Sequence, residues 1–96
     1  MSGRMKFRCT ACGREFDKGA LIIDNVILCP DCAAKLHDIV DSCVYENVMR
    51  LINGEKIDID GCVNKHLDDI VRLKLRPLRV KLMILRGIKA YKDLAV

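Results

Sequence analysis

The sequence predicts a small α+β fold: a cysteine-rich finger made of a β-hairpin and a helix, followed by a helical extension. Three observations carry this prediction. Two CxxC pairs stand sixteen residues apart, a polar two-residue turn separates two short apolar runs between them, and helical periodicity sets in at the second pair. The 96 residues suit one average domain, or a motif plus one extension, and two independent cores would each lack material. An apolar share of 51% excludes disorder across the whole length. Phe7, Phe16, Tyr45 and Tyr91 are the only aromatics and Trp is absent, so the core must come from Leu, Ile and Val. A core of that kind calls for reinforcement.

The reinforcement is written in the cysteines. Each pair, Cys9-Thr10-Ala11-Cys12 and Cys29-Pro30-Asp31-Cys32, turns two sulfurs toward one ion from the same side. Four thiolates complete the closed tetrahedral shell of a structural Zn2+ site, one ion per chain. Gly13 sits where a left-handed backbone closes the first knuckle. Disulfides among these four are disfavoured in a reducing compartment, and a redox CxxC needs only one pair. Iron competes, because Cys12-Gly13 and Cys29-Pro30-Asp31-Cys32 resemble rubredoxin knuckles. Rubredoxins have longer separations and an aromatic core, so zinc is expected. A shell filled by four sulfurs leaves no position for substrate, and the ion's expected work is to stabilise. Cys43, Cys62, His37 and His66 remain. Cys62 and His66 share a helix face and could contribute to a second metal site, but both cysteines lie on apolar stripes and are expected as small buried residues.

In chain order, Ala20–Ile23 and Val26–Leu28 read as strands around Asp24-Asn25. Pro30 suits the first position of a helix, whose stripe is Leu36, Ile39, Val40, Cys43, Val44, Val48 and Leu51 and whose stop is Asn53-Gly54. Knuckle, hairpin and ligand-bearing helix form a treble-clef arrangement over residues 1–53. Residues 54–96 are expected as a basic helical extension packing on the finger or on a second chain. Within it, Glu55–Asp58 reads as a connector and Asp60 as the cap of a helix carrying Val63, Leu67, Ile70 and Val71. From Val71 to Leu82 apolar and basic residues alternate, which suggests a β-ribbon. A helix from Pro77 accounts better for the longer window, since Val80, Ile84, Ile88, Tyr91 and Ala95 form one stripe. Gly87 falls inside that helix.

The segment from Cys9 to about Val40 resembles the N-terminal zinc-binding domain of the ClpX unfoldase, a dimeric treble clef that recognises adaptor and substrate proteins. The shared positions are Cys9, Cys12, Cys29, Cys32, Gly13, Leu21-Ile22, Val26-Ile27-Leu28 and Asp38-Ile39-Val40. No GxxxxGK[ST] loop follows, so the resemblance does not extend to an ATPase. The same segment is similar to Gin, a small zinc protein that inhibits a sporulation sigma factor. Both resemblances imply that the finger holds proteins. GATA-type fingers share nearly this spacing and bind DNA.

Charge is divided unevenly. Through Ile70 there are nine Lys/Arg and twelve Asp/Glu, and from Val71 onward eight and one, within a net charge of +4. Two functions are therefore expected to compete. The first is a regulatory protein-interaction module acting as an adaptor or, in an anti-sigma-like way, on the transcription machinery, with a protein partner or a second copy as a homodimer expected. The second is nucleic-acid or acidic-partner binding through Arg72, Lys74, Arg76, Arg79, Lys81, Arg86, Lys89 and Lys92. Without aromatics among those cations, duplex backbone contact is the expected form. A membrane-surface role lacks Trp and Phe anchors there. No nucleophile, base and oxyanion constellation can be named, so no enzyme is expected. No run approaches a membrane span, and the residues before Cys9 contain no secretory apolar stretch, which makes the cytoplasm the expected location.

Overall fold

The computed structural model describes residues 6–94 as a small α+β fold with two β-hairpins and four helices. Strands β1 (Phe7–Arg8) and β2 (Glu15–Phe16) pair antiparallel around the first CxxC. This hairpin lies outside the sequence expectation. It rests on the register Phe7 opposite Phe16, whose rings stack with centroids 5.5 Å apart. Such an aromatic cross-strand pair can hold a ladder two residues long, too short to show any period. Strands β3 (Leu21–Ile23) and β4 (Val26–Leu28) form the expected second hairpin, turning at Asp24 with φ +53°.

Helix α1 (Pro30–Ile52) starts and stops where Pro30 and Gly54 predict. Its end is a Schellman motif: Gly54 N–H donates to Leu51 O, Glu55 N–H to Arg50 O, and Gly54 takes φ +76°. The buried face carries Leu36, Ile39, Cys43 and Val48 as expected, with Val40, Val44 and Leu51 half-buried. It also carries Asn47, which is fully buried. Its Nδ2 donates to Cys43 O at 2.8 Å and its Oδ1 accepts from Asp58 N–H at 2.6 Å, so both ends of the amide are satisfied. This one side chain fixes where the connector returns to the core.

The single helix expected from Asp60 through Val71 is instead two, α2 (Ile59–Lys65) and α3 (Leu67–Arg72), broken at His66 with φ −110° and ψ 14°. The cap is Asp58, whose Oδ1 accepts from Gly61 N–H at 2.9 Å, and Asp60 belongs to the first turn. A side chain at Gly61 would collide with the Asp58 carboxyl, so cap and glycine form one unit. The break re-aims the chain. Leu67 and Val71, expected on the buried stripe, are exposed, while Ile70, Leu73 and Leu75 enter the core. Alternation in 71–76 thus marks a helix end and not a strand. Lys74 N–H donates to Val71 O and Leu75 N–H to Ile70 O, the same closing motif as in α1, but with Lys74 rather than glycine at φ +61°.

Helix α4 (Pro77–Leu94) begins at Pro77 as read from the longer window. Val80, Ile84 and Ile88 are buried against α1, α2 and α3. Burial of the stripe ends there: Tyr91 is exposed, and Ala95 lies outside the described residues. Gly87 marks the close crossing, because a Cβ there would meet the Val44 side chain of α1. Arg79 pairs with Asp24 of the β3–β4 turn at 3.2 Å and Lys81 with Asp60 at 2.9 Å, tying α4 to the hairpin and to α2. Among the described residues no helix is long and apolar enough to cross a membrane.

Candidate metal centre

Four sulfurs meet where the first hairpin, the end of β4 and the first turn of α1 converge. Cys9 N–H donates to Arg14 O and Gly13 N–H to Cys9 O, both at 2.8 Å, while Gly13 takes φ +78°. Cys12 N–H points at Cys9 Sγ at 3.5 Å, so the knuckle presents its amide dipoles to the sulfur. The second pair is delivered differently. Cys29 caps α1 and Cys32 lies in its first turn, with Ala33 N–H donating to Cys29 O at 2.8 Å. The two halves are registered by Thr10, whose N–H donates to Ile27 O at 2.7 Å and whose Oγ1 accepts from Ile27 N–H at 3.0 Å. An exposed pair, Arg14 to Asp31 at 2.8 Å, closes the same junction. Neither Thr10 nor Arg14 carries a sequence signal, because side chains that join one loop to another have no spacing rule.

All four Sγ atoms lie within 4.8 Å of one another, so they could hold a metal ion. Cys12 Sγ and Cys29 Sγ are 3.7 Å apart. A tetrahedron with metal–sulfur bonds of about 2.3 Å has edges of about 3.8 Å, so this spacing fits a four-sulfur shell. Cys9 and Cys29 are buried, Cys32 is 9% exposed, and Cys12 alone faces solvent.

The electrostatics of the quartet ask for a cation. Burial pushes the Cys9 thiol up, but the backbone amides of Cys12, Cys29 and Ala11 outweigh it and bring Cys9 down to about 6. Cys32 moves the other way, raised by burial and then by the neighbouring sulfurs. At Cys12 the Arg14 amide lowers the thiol, yet the proton shared with Cys9 and partial desolvation leave it raised. One sulfur ionises readily and its neighbours then resist, as expected for like charges crowded into one site. A bound cation reverses that resistance.

The other two cysteines overturn the sequence expectation. Cys43 of α1 and Cys62 of α2 are joined by a disulfide across a separation of 19 residues, with Cα atoms 5.8 Å apart. Their apolar neighbours are what the stripes indicated, but two buried cysteines on facing helices also meet the distance for a bridge. Pairing across helices depends on packing and leaves no local signature.

The predicted basic residues divide. Arg79 and Lys81 are engaged with Asp24 and Asp60. Arg72, Lys74, Arg76, Arg86, Lys89 and Lys92 are exposed, the first at the end of α3, the next two in the connector and the rest on α4. His37 is exposed on α1, and no metal-capable group among the described residues includes it. On α4 the cations share the outer side with apolar residues. At about 100° per residue, Leu78, Leu82 and Leu85 fall opposite the buried stripe, among Arg86, Lys89 and Lys92. Leu78 is 66% exposed, and Ile22 of the neighbouring hairpin is 62% exposed. Leu21, Ile22, Leu82, Met83, Arg79 and Arg86 line a shallow groove of about 290 Å³ between β3–β4 and α4.

Compared with protein-family models, curated proteins and solved structures, the chain matches none. The likeness of residues 9–40 to the ClpX finger and to Gin therefore rests on the motif residues alone.

Proposed function

We propose that the chain is a zinc-stabilised, treble-clef regulatory module that works by binding another protein, with one structural Zn2+ held by Cys9, Cys12, Cys29 and Cys32. Knuckle, hairpin and ligand-bearing helix follow one another in treble-clef order, and a site closed by four sulfurs favours structural work over catalysis. The observation that carries the binding reading is the outer side of α4, where Leu78, Leu82 and Leu85 stand exposed among Arg86, Lys89 and Lys92, continuous with the Ile22 groove. A mixed apolar and basic face suits a protein segment that is itself apolar and acidic, such as an amphipathic helix with Leu on one side and Glu at the rim. A second copy would bring like charges together, so a homodimer through this face is the weaker form of the reading.

Nucleic-acid binding is the second reading, favoured by the six exposed cations without an ion-pair partner among the described residues. Against it, leucines interrupt the cations on α4 and two of the eight are engaged internally. A designed helical peptide carrying Leu at i, i+3, i+4 and i+7 with flanking Glu separates the two. The protein-binding reading expects saturable binding of the peptide that Leu82→Asp abolishes. Salt-sensitive binding of a DNA duplex that survives Leu82→Asp but fails in Arg86→Glu/Lys89→Glu, without peptide binding, would replace it with the nucleic-acid reading.

A further inference from the structure

The disulfide between Cys43 and Cys62 does not stand alone. The ligand atom of His66 lies within 4.8 Å of both sulfurs, giving a cluster of two buried sulfurs and one half-buried imidazole. His66 is placed there by the break between α2 and α3, one turn after Cys62, and its ring makes no hydrogen bond to another described residue. An unengaged imidazole beside two sulfurs is a donor set for a thiophilic ion. His66 also lines a cleft of about 290 Å³ together with Lys35, Asp38, Ile39 and Asp69.

We propose that Cys43, Cys62 and His66 form a second, thiol-gated metal site: closed as a disulfide under oxidising conditions, and able to take one Zn2+ per chain when reduced. Opening the site requires a reductant, for which a small-molecule thiol suffices. Two thiols R–SH transfer two electrons and two protons to the protein disulfide, yielding R–S–S–R and the two cysteine thiols. Metal binding then displaces both thiol protons and leaves two thiolates and a neutral imidazole on the ion. A Cα separation of 5.8 Å fits a disulfide, and modest side-chain rotation opens the sulfurs to the edge of a coordination tetrahedron. Three protein ligands leave a fourth position open to water or an added ligand. This distinguishes the site from the four-cysteine centre, whose shell is closed. In both states α1 and α2 stay linked, by a covalent bond in one and by an ion in the other. The inference does not depend on what partner the α4 face binds.

The test uses the full chain. Wild type and a Cys43→Ser/Cys62→Ser variant are reduced, desalted without oxygen and titrated with Zn2+ against a chromophoric chelator. The readout is the difference between them, so it holds whatever the four-cysteine centre binds. Reduced wild type should take one equivalent more than the variant, and oxidised wild type should match the variant. His66→Ala, which keeps both cysteines, should weaken the additional equivalent by more than about tenfold. Co2+ in the additional site should give ligand-field bands shifted to higher energy than those of the four-sulfur centre, because nitrogen replaces sulfur. Circular dichroism confirms that each variant keeps its helices. Equal uptake by reduced wild type and the double variant overturns the proposal, as does an additional equivalent that His66→Ala leaves unchanged.

Discussion

The two ends of this chain use the same residue for different physics. In the finger, residues 7–33, the ladders are two and three residues long, and beside Ile23, Leu28 and Ala33 the buried residues are the cysteines Cys9, Cys29 and Cys32. In the helical part, Leu36, Ile39, Val63, Ile70, Val80, Ile84 and Ile88 bury against one another, and a cysteine pair adds a cross-link to a core that already exists. Sulfur supplies the core of the first region and reinforces that of the second. A metal-poor finger therefore has little to fall back on, whereas a reduced helical part still has its apolar interior.

Stripping the metal is the most severe way to break the comparison. Zinc binding to four-cysteine fingers contributes about 10 to 16 kcal/mol at neutral pH, more than a domain of this size holds in total. Chelation, or Cys29→Ser, should abolish amide protection across residues 7–28 while the amides of α4 stay protected. Simultaneous loss of protection in both regions would show one cooperative unit in place of two.

Ile84→Ala tests the reverse case. It should cost the helical part about 2 to 5 kcal/mol in denaturant unfolding and leave metal uptake by the four-cysteine centre unchanged. Reduction of Cys43–Cys62 without added metal should cost about 3 kcal/mol, the chain-entropy value for a loop of this length. The double serine variant should be indifferent to reductant. Asn47→Ala removes both bonds of a buried amide and should cost about 2 kcal/mol, with faster exchange at Asp58 N–H as its local signature. The smallest change has the opposite sign. Lys74→Gly relieves a left-handed backbone at the end of α3 and should raise stability by up to about 1 kcal/mol in the same measurement.

Legibility from sequence follows the range of each interaction. The CxxC spacing, the start at Pro30, the stop at Gly54 and the start at Pro77 were all readable, because each depends on neighbours within a turn or on a motif with fixed offsets. The sequence offers Asp60 as the cap and the structure uses Asp58, because two acids stand two residues apart at the start of one helix and only the fit against Gly61 decides between them. The break at His66 has no proline or glycine to mark it; the need to bury Ile70 and Leu75 imposes it. Glycine is a weak helix former, yet at Gly87 it gives room for the crossing, because a Cβ there would meet the Val44 side chain of α1. Cys43–Cys62 and Asn47 were unreadable for a common reason, that each joins α1 to a segment placed beside it only by the finished packing.

The connector between α1 and α2 has a practical consequence. Residues 53–57 are exposed, and they lie inside the loop that the Cys43–Cys62 bridge closes. A protease recognition sequence placed between Glu55 and Ile57 would let the backbone be cut there without releasing either piece. On a denaturing gel the nicked chain would run as one band until a reductant separated it into two. Peptide continuity and covalent continuity part at that point, and the gel becomes a direct gauge of the thiol state inside the molecule.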